Sequence, residues 1–305
     1  MTPLNCKRSG CVTALYFCSM IPMLSAQPKP AITRTELPLK VKQGDLLVSA
    51  KVNGSRALTF KLDTGFGITT IKPSLVESLH LGRVGGITID GIAGEERVAT
   101  FRDAELDFGG MLFRPRRIAA LGSEKQERSK ARDGILGADF FRRFVVEIDI
   151  PARLLRLCEP GEFHYSGRGE VIPLQFKRDT PIIDGSIVTL SNEIVNGRFE
   201  IDTGCDAFLC LGQDFVAANE LLDKVKMMPQ GARRGVGGST PIQHGDFEAL
   251  RLGSVIIKKP SANFFLEGSP AGKGQAGHIG LGVLQRFNMT FDYSRRQMIL
   301  EQKSD

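Results

Sequence analysis

Two short segments hold residue types suited to acid–base chemistry on a carbonyl group. They are Lys61-Leu62-Asp63-Thr64-Gly65 and Glu200-Ile201-Asp202-Thr203-Gly204, 139 positions apart. In each, an apolar run carries the aspartate, which would bring a carboxylate that is costly to bury to the edge of a sheet. One Asp-Thr-Gly alone reads as an Asx-type turn at a strand end. Two copies at matching places of a repeated unit say far more. If the units pack about a pseudo-twofold axis, Asp63 and Asp202 face each other. Two carboxylates a few ångströms apart do not both ionise cheaply, so they share a proton and one apparent pKa rises. Such a pair performs both halves of amide hydrolysis. The ionised member takes a proton from an attacking water while the protonated member donates to the carbonyl oxygen.

The elements that would position the pair repeat as well. Val52-Asn53-Gly54 returns as Val195-Asn196-Gly197, and Gly91-Ile92-Ala93-Gly94 as Gly235-Val236-Gly237-Gly238. Residues 106–109 match 250–253, Gly134-Ile135-Leu136-Gly137 matches Gly277-His278-Ile279-Gly280, and 143–149 match 286–292. The blocks keep their order and the offset stays between 139 and 144, which marks a tandem duplication of a domain-sized unit. Each unit reads as a hairpin whose second strand ends at Asp-Thr-Gly. An apolar strand follows (68–71; 207–211), then a short helix (73–79; 213–222), with Pro73 suited to a first helical turn. A glycine-rich hairpin comes next, then Gly-apolar-apolar-Gly opening a second short helix (138–142; 283–286), then a closing strand pair. Short strands punctuated by glycine predict an all-β fold of two homologous barrel-like lobes. The expected divisions are a leader at 1–26, an N-terminal lobe at 27–158, a Gly/Pro-rich linker at 159–169 and a C-terminal lobe at 170–305.

These motifs resemble the aspartic peptidases, specifically the retropepsin-like (pepsin and retroviral) branch in a bacterial, two-lobed, single-chain form. The resemblance covers nearly the whole chain after the leader. It implies two lobes related by a pseudo-twofold axis, with Asp63 and Asp202 holding the attacking water between them. It implies that Thr64 and Thr203 hydrogen-bond across to the opposite lobe and that Gly65 and Gly204 admit backbone N–H groups close to the carboxylates. The segments Ile135-Leu136-Gly137 and His278-Ile279-Gly280 would thread beneath the active loops. Gly91, Ile92, Ala93, Gly94 and Gly235, Val236, Gly237, Gly238 would tip two mobile flaps over a peptide, one per lobe. The sequence departs from the family at Phe66 and Cys205, where a small residue usually follows the triplet. There, either the outer carboxylate oxygens lose a hydroxyl partner or these side chains shape the substrate cleft. It departs also at His278, in place of an apolar residue, which reads as a hydrogen-bonded structural histidine.

Composition sets the remaining bounds. The 305 residues are 42% hydrophobic and 24% charged, an ordinary globular balance, and no apolar run reaches the ~20 residues of a membrane span. Lys7 and Arg8 precede an apolar stretch at 11–24 ending Leu24-Ser25-Ala26, the pattern of a secretory signal peptide. Cleavage after Ala26 would take the formal charge from +6 to +4, a mixed surface that gives no reason to expect nucleic acid. Cys158, Cys205 and Cys210 would remain, an odd number, expected as buried free thiols. Gly272-Lys273-Gly274-Gln275-Ala276-Gly277 matches a dinucleotide fingerprint but lacks the strand directly before it, so it reads as a loop. The charged run 124–133 reads as a solvated loop. No serine-hydrolase elbow or zincin motif is present, and the four histidines show no metal-ligand spacing. The expectation is an exported, periplasmic or secreted, aspartic endopeptidase acting on peptide or unfolded protein. It would need no cofactor or metal, would have no stable membrane insertion after leader removal, and would be catalytically complete as a monomer. The alternative is an inactive peptide-binding module on the same fold.

Overall fold

The structure, a computed structural model, describes Met1 and residues 32–92, 94–122 and 132–303. The leader expected at 1–26 lies outside the described residues apart from Met1, as do Ala93 and most of the charged run.

The duplication is visible strand by strand. One ten-stranded sheet runs in the order Gly82–Gly91, Gly94–Arg102, Ile118–Ala120, Thr70–Ile71, Gly134–Leu136, Ala57–Leu62, Asp45–Val52, Leu106–Phe108, Met111–Phe113, with Lys40–Lys42 paired to Asp45–Val52. The second runs Lys226–Gly235, Gly238–Asp246, Ser261–Phe265, Leu209–Leu211, Gly277–Ile279, Ile194–Ile201, Thr180–Val188, Ala249–Leu252, Val255–Lys258, with Gln175–Lys177 paired to Thr180–Val188. The two orders are the same. In both, a strand carrying the Gly-apolar-apolar-Gly motif lies parallel to the strand leading into Asp-Thr-Gly and antiparallel to the strand after it.

A third, six-stranded sheet joins the halves: Arg34–Pro38, Leu154–Cys158, Val145–Asp149, Phe287–Asp292, Gln297–Gln302, Glu170–Pro173. Each half supplies three strands. They meet where Val146 pairs with Phe291 and Ile148 with Met289, which are repeat partners' segments lying antiparallel. Residues 159–169 run from one half's strand to the other's and include a 3-10 turn at Pro160–Glu162. Beneath the junction the apolar core is continuous. Phe141 packs edge-on to Phe291 at 5.4 Å and stacks on Tyr293 at 5.8 Å, so helix Ala138–Arg143 of one half is seated on strands of the other.

Several local elements differ from the sequence reading in length or position. The strands expected at 68–71 and 207–211 form only at Thr70–Ile71 and Leu209–Leu211, because the residues before them belong to the Asp-Thr-Gly loops. The helix expected at 73–79 is a 3-10 turn at Pro73–Leu75 followed by turns. That at 213–222 stops at Ala218, where Asn219 Nδ2 donates to the Phe215 carbonyl and Glu220 takes a left-handed conformation, φ 51°. The helix expected at 283–286 begins earlier, as Leu281–Leu284, directly after Gly280. Cys158 and Cys210 are buried free thiols as expected, but Cys205 keeps some exposure.

Candidate active site

Each Asp-Thr-Gly sits on a loop pinned from below by its own half. Asp63 N–H donates to the Leu136 carbonyl and Asp202 N–H to the Ile279 carbonyl, both at 3.0 Å. Ala138 N–H donates to the Phe66 carbonyl and Leu281 N–H to the Cys205 carbonyl, both at 2.7 Å. The Gly-apolar-apolar-Gly segments are therefore the floors of the two loops. A Cβ at Gly137 would lie 2.6 Å from the Phe66 carbonyl oxygen, so the close approach needs glycine.

The loops are then locked to each other. Thr64 N–H donates to Thr203 Oγ1 and Thr203 N–H to Thr64 Oγ1, each at 3.0 Å. The hydroxyls donate onward across the axis, Thr64 to the Ile201 carbonyl at 2.7 Å and Thr203 to the Leu62 carbonyl at 3.1 Å. Both threonines are fully buried. Buried groups so paired specify one geometry, because moving either loop would orphan four partners at once. The lock sets each carboxyl against the opposite loop, so that the charge of Asp202 is felt at Asp63. A Cβ at Gly65 would lie 2.7 Å from the Asp202 carboxyl carbon, and one at Gly204 would overlap the Asp63 carboxyl.

The two carboxyls are displaced in opposite directions. Burial, and then the charge of Asp202, raise Asp63 from 3.8 to about 7 against the pull of Lys61 and Arg132. Burial also pushes Asp202 up, yet the hydrogen bond and charge of His278, with help from Lys61 and the Gly204 N–H, hold it below the usual carboxylate range. At mildly acidic pH one member therefore carries a proton and the other does not.

Sequence reasoning missed the groups that impose this difference. His278 Nδ1 lies 2.9 Å from Asp202 Oδ2, and its Nε2 lies 2.9 Å from Glu200 Oε2. Glu200 Oε1 accepts from Gly272 N–H at 2.9 Å, so the loop set aside as a false dinucleotide motif anchors the chain of contacts. The histidine read as hydrogen-bonded and structural is hydrogen-bonded, and one of its two partners is Asp202. On the other side, Lys61 Nζ donates to the Gly204 carbonyl at 2.7 Å and pairs with Asp45 at 2.7 Å. Arg132, at the end of the charged run, holds the second Asp45 oxygen at 2.9 Å, so that end of the run is structural. The signal available in the sequence was a charged pair, Lys61 and Glu200, at equivalent positions two before each aspartate.

The glycine hairpins Gly82–Gly91/Gly94–Arg102 and Lys226–Gly235/Gly238–Asp246 approach each other at their tips. A Cβ at Gly91 would overlap the Val236 carbonyl, one at Gly235 would lie 2.8 Å from Ile92, and one at Gly237 would lie 2.5 Å from Gly94 N. Ile92 packs on a small apolar cluster of Cys210, Ile242 and Phe265 together with Cys205 and Ala207, next to the second triplet. Arg233 of the second hairpin pairs with Asp206 and lies 3.7 Å from Cys205 Sγ, which is itself 3.6 Å from Cys210 Sγ. Phe66 is half-buried and its backbone, as noted, holds the first loop to its floor. Of the site residues expected from sequence, only Ala93 lies outside the described set.

Residues 48–140 match the aspartyl protease family model. The chain is similar in shape to the aspartic proteinase from Irpex lacteus, with a TM-score of 0.59 and 14% sequence identity, covering 89% of this chain and 98% of that one. No curated protein matches the sequence. The aspartyl protease pattern is thus matched over residues 48–140, and the described chain shares the fold of that aspartic proteinase.

Proposed function

We propose that the protein is an aspartic endopeptidase that hydrolyses peptide bonds with a water held between Asp63 and Asp202. One observation carries the reading: the reciprocal threonine lock presents two carboxyls to each other with their proton affinities driven apart. The ionised carboxylate accepts a proton as the water oxygen attacks the carbonyl carbon. The protonated one gives its proton to the carbonyl oxygen, forming a tetrahedral diol. The two groups have then exchanged states. The newly protonated member next donates to the leaving nitrogen as the C–N bond breaks, and its partner takes back the proton from the diol. The pair ends as it began.

An extended peptide would lie in the cleft between the lobes beneath the two hairpins, adding main-chain hydrogen bonds to strand edges. With the tips this close, entry requires them to part, which suits flaps that close over substrate. Both carboxyls come from one chain, so a monomer suffices. Residues 1–26 support an exported protein, periplasmic or secreted, acting on peptides or unfolded proteins.

The test is cleavage of an unfolded protein mixture across acidic to neutral pH by the wild type and by Asp63→Asn. Activity that vanishes in the variant and in the wild type declines above about pH 7, where Asp63 loses its proton, is the expected result. A folded wild type that binds peptides and cuts none at any pH would instead make this a binding module.

A further inference from the structure

We propose that His278, held by Glu200, is a positioning residue that fixes Asp202 as the ionised member of the pair and leaves Asp63 as its acid. The inference rests on the dyad reading above and deepens it by assigning unequal roles to two aspartates that the repeat makes look alike.

The geometry gives the first argument. Both ring nitrogens of His278 face carboxylate oxygens at 2.9 Å. A neutral imidazole has one N–H, and with a carboxylate on each side only the imidazolium can donate to both. The ring is buried, 8% exposed, so an unmatched nitrogen would find no water to satisfy it. Glu200 is fixed in turn by the Gly272 N–H, and Asp202 Oδ1 accepts from Gly204 N–H at 2.8 Å. A buried ion group of this kind is tolerable only when its members are hydrogen-bonded throughout, and these are. Burial by itself would depress the histidine; the hydrogen bonds to Asp202 and Glu200 outweigh it and hold the ring well above its ordinary value.

The opposite lobe gives the second argument. His278 stands beside Glu200 on neighbouring parallel strands, and in the same register Ile135 stands beside Lys61. Asp63 thus has an apolar residue where Asp202 has a cation. Among the described residues, the other charged or titratable groups around the site include Lys61, Asp45 and Arg132 from the first lobe, Tyr293 near Asp63, Cys205 and Cys210 beside the ring, Arg233 with Asp206, and Lys177 near Glu200. Lys61 draws both aspartates down, so it does not by itself tell them apart. His278 does, because its contact is with Asp202 alone. The functional consequence follows from proton sharing. A firmly ionised Asp202 keeps its base available at low pH, so the pair works further into the acid range than an unassisted one.

Imidazole titration by NMR on intact wild type, Glu200→Gln and Asp202→Asn decides the charge state without any cleavage assay; His278→Gln assigns the signal among four histidines. The expected result is a wild-type His278 that stays protonated through neutral pH, and loses its proton at least about one pH unit lower in each carboxylate variant. A ring titrating at or below the ordinary imidazole range, or indifferent to both variants, overturns the proposal. The pH profile of peptide cleavage supplies the second arm. In His278→Gln, and more weakly in the isosteric Glu200→Gln, the acid limb should move up by about one unit with KM held within about threefold. A uniform loss of kcat with unmoved limbs means that His278 only props the loop, and refutes the assignment. If the wild type cleaves nothing, the peptidase reading fails while the titration still decides whether the relay exists.

Discussion

The two lobes agree in everything that sets distance and differ in what sets charge. Their sheets have the same strand order, their Asp-Thr-Gly loops are pinned at matching atoms, and their threonines exchange the same hydrogen bonds. At the next layer outward the correspondence stops. Lys61 and Ile135 flank the first aspartate, while Glu200 and His278 flank the second in the same register. The lesson is that a duplicated fold places two carboxyls well but leaves them equivalent. The proposed acid–base chemistry needs one with a proton and one without, and the flanking residues are where the two settings differ.

Removing either carboxyl should have the largest effect: Asp63→Asn and Asp202→Asn are each expected to lower kcat by about 10³-fold or more, the upper range for losing a general acid or base. The check is peptide cleavage with the fold verified by circular dichroism. Wild-type turnover in either variant would end the dyad assignment.

The threonine lock tests the symmetric half of the comparison. Thr64→Val and Thr203→Val should each destabilise the protein by about 1–3 kcal/mol for every buried partner left unsatisfied. Denaturant titration should find the two losses similar, since the bonds removed are equivalent. A large disparity would mean that the lobes share less of their geometry than the hydrogen bonds indicate.

Lys61 tests the asymmetric half from the other side. Its charge lowers Asp63, so Lys61→Met should raise that pKa further and move the alkaline limb of cleavage upward from about 7, by about one pH unit. An alkaline limb that moves down would contradict the sign. The smallest effect is expected at the hairpin tips. Ile92→Ala removes packing against Cys210, Ile242 and Phe265 and should raise KM a few-fold, with a lesser change in Val236→Ala, seen in the ratio of kcat to KM for one peptide. Equal effects would make the two hairpins interchangeable.

Much of this was legible because repetition is a property of sequence. The paired Asp-Thr-Gly triplets, the Gly-apolar-apolar-Gly floors and the glycine hairpins all stand at near-constant offset, and the structure places each where its partner predicts. Helix lengths were misjudged because the ends depend on local brakes such as Asn219 and Glu220, which an apolar pattern does not reveal. His278 was read correctly as hydrogen-bonded, but its partners were not legible, for a different reason. It lies 76 positions from Asp202, and only strand pairing brings the two together.

The duplicated fold and the two aspartates could be read from the order of residues alone, since both follow from patterns that repeat along the chain. The unequal surroundings of the two aspartates became visible once the strands were paired in space. That difference depends on charges converging from strands distant in the chain, Glu200, His278 and Lys61, inside a buried space where a few ångströms govern the energy of an ion.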